Sequence, residues 1–132
     1  MALNLYYTQG RMHNFSTNLL KPFEISVQQY NILRILRGQK GKVISMSNIT
    51  DRMIDKMSNT SRLIEKLRIK GLVERMECPN DRRKAEIKVT EAGLEVINKA
   101  SLLMDTELME RLKVLNDEEV AMLNNLLDKL NQ

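Results

Sequence analysis

The 132-residue chain has one cysteine, one histidine and no tryptophan. With Cys78 alone, an intrachain disulfide is impossible and zinc sites built on several thiolates are excluded. A redox-sensing thiol is conceivable there, against the plainer reading of a partly buried small side chain ahead of Pro79. His13 is equally isolated, with no second ligand at metal spacing, so no metal site is read from it. No run approaches the ~20 apolar residues of a membrane span. The N-terminus also lacks the basic-then-apolar order of a secretory leader, so a cytoplasmic location and no membrane partner are expected. A base–nucleophile set, a phosphate-cradling loop and a metal constellation are missing too. An enzyme is therefore not expected, and no cofactor is implied. There is neither an internal repeat nor a low-complexity linker.

The length fits one domain, and 42% hydrophobic with 29% charged residues describes a folded chain, not a disordered one. The net charge of +4 is unevenly spread. Residues 1–50 hold six basic side chains against Glu24 alone, residues 51–90 eleven against seven, and residues 91–132 four against nine. A basic body with an acidic C-terminal end suggests one surface facing a polyanion and another turned away from it.

Periodicity and punctuation give mostly helix with one small sheet. Residues 2–20 read as a poorly defined helix, with Leu5, Met12, Phe15 and Leu19 on one face, interrupted by Gly10 and ended at Lys21-Pro22. Ser26 with Gln29 forms a capping box, and Ile25 and Tyr30 sit where a hydrophobic staple would close. The helix so opened carries Tyr30, Leu33 and Leu36 and ends at Gly38. Val43–Met46 is short enough for a strand. Ser47 is placed to cap a helix over 48–53, followed by a turn at 55–58. A second helix runs from about Ser58 to Lys70, with Leu63, Ile64 and Leu67 inward and Gly71 just past its end. Two helices so joined are a helix-turn-helix. Leu72–Met76 and the alternating Ala85, Ile87 and Val89 read as strands around a basic, turn-rich tip at 78–84, which is a wing. Thr90 caps a long helix to about Val114. Asn116 with Glu119 opens a last one bearing Val120, Leu123, Leu126, Leu127 and Leu130. Those apolar positions exceed what a small winged core can cover. Folding back on the long helix would cover some, and a symmetry mate the rest.

A recognition helix needs short polar side chains where it enters the major groove and basic groups beside it for phosphates. Ser58, Asn59, Thr60 and Arg62 supply these; Asn59 has the amide that pairs with adenine. In the wing, Arg82, Arg83 and Lys84 suit a narrow minor groove. Asp81 among these cations is out of place on a polyanion-binding tip unless it is structural, and Arg75 on the neighbouring strand is the expected partner that fixes the wing.

These pieces carry a specific likeness. Arg62–Leu67, Lys70–Arg75, Asp81–Arg83 and Val89–Gly93, in that order, with Ser26–Leu33 upstream, resemble the MarR family (multiple antibiotic resistance regulator type). The family's Asp-x-Arg wing is followed here by a Val-Thr-x-x-Gly segment with Val89 in the usual leucine place. Thr50 stands where that family commonly has alanine, which implies mild crowding of the helix-turn-helix. The resemblance implies a winged helix-turn-helix regulator, most simply a repressor. It would be a homodimer joined through its N- and C-terminal helices (residues 1–25 and 90–132), with a DNA-binding domain over 26–89. It implies double-stranded DNA with a pseudo-palindromic operator as partner, major-groove contacts from Ser58, Asn59, Thr60 and Arg62, a minor-groove contact from Arg83, and a wing-fixing role for Asp81. It also implies release by a small phenolic or anionic effector. Where the first, second and fifth helices would meet, Tyr6, His13, Phe15 and Tyr30 are the candidate pocket. The alternative function is a winged-helix protein–protein module without DNA binding, which predicts a neutral or acidic recognition helix and wing.

Overall fold

The computed structural model describes all 132 residues apart from the side chain of Arg82. Six helices frame a three-stranded antiparallel sheet of order β1-β3-β2. Helix α1 (Ala2–Leu20) is continuous through Gly10, against the expected interruption. A glycine costs only about 1 kcal/mol relative to alanine inside a helix, too little to divide one of 19 residues. The break comes at Pro22, in a single 3-10 turn over Lys21–Phe23.

Helix α2 (Val27–Gly38) opens with the expected capping box: Ser26 Oγ accepts from Gln29 N at 3.1 Å, and Gln29 Oε1 from Ser26 N at 3.0 Å. It is the central pillar, burying Tyr30, Ile32, Leu33 and Leu36. The next elements begin earlier than the sequence indicates. Strand β1 is only Ile44–Ser45, and helix α3 (Met46–Arg52) starts directly behind it. Its cap is Ser45, whose Oγ accepts from Asn48 N at 3.2 Å, rather than Ser47. Met46 is drawn into the core and its amide donates to Ala85 O at 2.8 Å, which ties the start of α3 to the sheet. Thr50 is exposed and bonds back to Met46 O at 3.0 Å, so it crowds nothing.

Helix α4 (Thr60–Ile69) buries Ile64 and Leu67 and ends at Gly71, whose φ of +74° is the left-handed conformation of a helix stop. Strands β2 (Val73–Met76) and β3 (Glu86–Val89) pair antiparallel, Val73 opposite Val89 and Met76 opposite Glu86. Thr90 caps the long helix α5 (Glu91–Leu112) by accepting from Gly93 N at 3.0 Å. One continuous hydrophobic cluster runs from Leu20 through α2, α3, α4 and the sheet to Ile97 and Ala100 of α5.

Helix α6 (Asp117–Leu130) has the predicted Asn116–Glu119 capping box, but every one of its residues is exposed. It does not fold back to cover itself on α5. Its whole leucine face is left for something outside the chain.

Candidate nucleic-acid interface

Helix α4 and its flanking turns are held to α2 and the turn before it through apolar packing and three polar ties. Gln29 Nε2 reaches Leu63 O at 3.5 Å, Asn31 Oδ1 accepts from Ile54 N at 3.0 Å in the turn before α4, and Lys70 Nζ donates to Glu24 O. With Leu63, Ile64 and Leu67 turned inward, the exposed positions are Ser61, Arg62, Lys66, Arg68 and Ile69, with Glu65 half-exposed among them. Arg68 bonds both Glu65 oxygens, at 2.6 and 3.0 Å, and this hydrogen bonding holds the Glu65 carboxyl below its usual range. Among the described residues, no ion pair engages Arg62 or Lys66. Both side chains are exposed, Arg62 in the first turn of α4, where free N–H groups add to the attraction for an anion, and Lys66 one turn further along.

Two clefts flank this end of the helix. One, about 470 Å³, lies between the N-termini of α2 and α4, with Ser26, Gln28, Asn59, Arg62 and Lys66 on its walls. The other, about 590 Å³, is shared by Ser61, Arg62, Glu65 and Lys66 of α4 with Arg75 and Glu77 at the base of the wing. The outward face of α4 therefore continues into the base of the wing, with Arg62 and Lys66 as its unpaired cations among the described residues and Glu65 and Glu77 paired to Arg68 and Arg75.

Several sequence expectations change here. Helix α4 begins at Thr60, not Ser58, and Asn59 is its cap, Oδ1 accepting from Arg62 N at 3.2 Å. A bidentate pair with adenine needs that oxygen too, so the cap takes one of its two lone pairs and fixes the direction in which the amide can meet a base. Thr60 is 5% exposed, so it is not on the outward face and is set aside as a contact. Both its hydroxyl and that of Ser58 are buried without a hydrogen-bond partner. Ser61, Lys66 and Arg68 were missed, although the inward spacing of 63, 64 and 67 defines them as the opposite face.

The wing's tip is held differently from the expected Asp81–Arg75 pair. Asp81 Oδ1 accepts from Arg83 N at 2.9 Å, and its backbone bonds both ways, to Cys78 O and from Lys84 N. The carboxylate thus shapes the 82–84 turn through its amides and leaves the Arg83 and Lys84 side chains exposed. The Arg82 side chain lies outside the described residues. Arg75, its side chain only 9% exposed, lies instead 2.7 Å from Glu77 Oε1. That is ion-pair distance, but off the N–H axis, and Nε keeps no hydrogen bond. Cys78 is partly buried at the wing base.

The four candidate pocket residues do not converge. Tyr30 is consumed by the core, where burial pushes its phenol up. Tyr6 is 77% exposed on the outer side of α1. Phe15 lies under the Arg111 guanidinium at 4.2 Å, and His13 faces a separate cleft toward the α3–α4 turn. Tyr6 and His13 share one face of α1, Phe15 lies on another, and Tyr30 is turned into the core from α2.

A two-helix reader with a basic wing on a three-stranded sheet defines a winged helix-turn-helix regulator. Comparison with known proteins narrows the class. The MarR family pattern matches residues 25–85. The multiple antibiotic resistance protein MarR of Escherichia coli (strain K12) is 30% identical over 112 residues, covering 84% of this chain and 76% of that protein. The transcriptional repressor IacR of Pseudomonas putida is 28% identical over 127 residues, covering 93% and 75%. The crystal structure of a mutant E. coli MarR complexed with operator DNA superposes with a TM-score of 0.81 at 25% identity, covering 98% of this chain and 91% of that one. The chain belongs to the MarR family.

The cap formed by Asn59 can be tested separately from an expected base contact. Asn59→Ala removes both cap and amide and is expected to lower stability by about 1 kcal/mol. Asn59→Ser keeps a capping oxygen, so its melting temperature should stay near wild type while its preference among base sequences relaxes. Equal losses on selected and random duplex would instead make Asn59 a phosphate contact.

Proposed function

We propose that the protein is a transcriptional repressor that reads a pseudo-palindromic operator in double-stranded DNA as a homodimer and releases it on binding a small molecule. The observation that carries this is the pair Arg62 and Lys66, without an ion-pair partner among the described residues, on the outward face of α4 in a cleft shared with the wing base. In this reading the N-terminal end of α4 enters the major groove, with Ser61, Arg62 and the Asn59 amide toward base edges and Lys66 on a phosphate. Arg82, Arg83 and Lys84 bring the wing to the minor groove, Arg83 as the inserted side chain. Ser58, with its hydroxyl buried, contributes through its position at the helix entry. The role of IacR as a repressor and the operator complex of MarR support the same assignment. A protein–protein module would have no use for so basic a surface.

Fluorescence anisotropy with a random duplex and with a duplex selected from a random pool, over a salt series, tests it. Affinity should fall steeply with salt, each neutralised phosphate contributing about −0.9 to the logarithmic slope. Arg83→Ala should weaken binding several-fold with an unchanged melting temperature, because the wing tip buries almost nothing. Absence of any shift on random duplex at low salt would favour the adaptor and defeat the proposal. Wild-type affinity in Arg83→Ala would remove the wing from it.

A further inference from the structure

Met57, in the turn that leads into α4, is an apolar side chain that nothing in the chain covers. It is 92% exposed, more than any methionine except the terminal Met1, whereas Met46 and Met53, at the two ends of α3, are buried in the core. Its backbone is nonetheless fixed. Met57 N donates to Asp55 Oδ1 at 2.9 Å, Ser58 N to Asp55 O at 3.2 Å and Thr60 N to Ser58 O at 3.1 Å, and the Asn59 cap completes the entry to the helix. The side chain lines the cleft between the N-termini of α2 and α4, together with Ser58, Asn59, Arg62 and Lys66. Ile54, 84% exposed in the same turn, is not part of that cleft and borders a different one with His13 and Asn31.

A single exposed apolar side chain is ordinary on a protein surface. What sets Met57 apart is its surroundings. Arg62 and Lys66 lie in the same cleft without an ion pair among the described residues, and the one carboxylate there, Asp55, accepts from the Met57 amide. Free N–H groups at the start of α4 add to the positive field. Whatever covers Met57 must therefore be anionic around its edge and apolar at the point of contact. Duplex DNA meets both conditions at thymine, whose 5-methyl is the apolar group among the base edges of the major groove, between two rows of phosphates. Methionine suits that contact, since its unbranched, polarizable thioether adapts to a small apolar partner.

We propose that Met57 is a specificity-determining residue that packs its thioether against the 5-methyl of one thymine in each operator half-site. This contact rests on the DNA-reading assignment above and extends it to a group that hydrogen bonds cannot sense. The Asn59 amide, Ser61 and Arg62 meet donors and acceptors, and these are the same on thymine and uracil. Met57 meets the methyl, which also separates thymine from cytosine at that position.

Deoxyuridine in place of thymine removes only the methyl. In the selected duplex each thymine is replaced in turn, at the same position of both half-sites, and affinity is read by fluorescence anisotropy. For the wild type, one position should cost about tenfold or more, at about fourfold for each methyl buried. Met57→Ala should bind the thymine duplex correspondingly more weakly, and should bind the thymine and deoxyuridine duplexes within about twofold of one another. Met57→Leu should restore most of the difference, and Ile54→Ala should keep all of it. The melting temperatures of the three variants should stay at wild type, because neither side chain is buried. A selected duplex with no thymine common to both half-sites, a wild type indifferent to every replacement, or a methyl effect that Met57→Ala leaves intact would overturn the role of Met57, while duplex binding itself would stand. Failure to bind any duplex at low salt would remove the DNA-reading assignment and this contact with it.

Discussion

Gly93→Ala is expected to destabilise the protein by about 3 kcal/mol or more, lowering the melting temperature by on the order of 10 °C. Gly93 lies in the first turn of α5, where its amide completes the Thr90 cap. A Cβ there would lie 2.1 Å from Leu72 O and 2.7 Å from a Val89 methyl. The first obstacle is backbone, and that carbonyl is already fixed by accepting from Thr90 N at 3.1 Å. Thr90 Oγ1 also donates to Gly71 O at 2.7 Å, so the end of α4, the start of β2 and the start of α5 are stitched at one point. Accommodating the methyl would force α5 off the sheet. Gly10→Ala provides the opposite sign: it lies inside α1 with nothing within 4 Å of the new Cβ, and should stabilise by up to about 1 kcal/mol. Thermal unfolding followed by circular dichroism compares the two. A Gly93→Ala melting temperature equal to wild type would mean that the junction is not packed as described.

That junction also shows what the sequence could and could not disclose. Thr90 and Gly93 were recognisable as a cap and as part of the Val89–Gly93 segment, because capping depends on residues three apart. The reason for glycine itself was not legible, since the obstacle comes from Leu72, on another element. The same division runs through the site. The inward stripe of Leu63, Ile64 and Leu67 was readable from helical period, and with it the outward face of α4. The start of α4 was not, because Ser58, Asn59 and Thr60 are all competent caps, and only the fold selects Asn59. Arg75 and Asp81 were rightly read as residues of the wing region, but a pairing across a hairpin depends on tip geometry. Glu77, two residues along, takes the arginine, while Asp81 spends its oxygen on a local amide. Tyr6, His13, Phe15 and Tyr30 line no common cleft within one chain for a similar reason: a pocket is a property of packing angles, which spacing along the chain does not encode.

Leu123→Asp with Leu127→Asp is expected to have the largest effect on function while leaving the fold of each subunit intact. The two leucines are one helical turn apart on α6, 44% and 40% exposed, beside Val120, Leu126 and Leu130, which are exposed as well. A helix this apolar cannot remain in water at high concentration without a partner. A second copy is the occupant that also satisfies a palindromic operator. Two carboxylates placed at the centre of such a contact would have to be desolvated without counter-charges, in a segment already carrying Asp117, Glu118 and Glu119 at its start. Light scattering should therefore report a dimer for wild type and a monomer for the double variant. Melting of the winged core should change little, since α6 contributes no buried residue to it. DNA affinity should respond far more strongly. In a dimer the second half-site is engaged at the effective concentration set by the first, so separating the subunits should cost about 10²- to 10⁴-fold on the full operator. Affinity for an isolated half-site should stay nearly as weak as it was. A variant that remains dimeric would place the subunit contact away from α6. A monomer that binds the full operator as tightly as wild type would show that each chain reads its DNA alone.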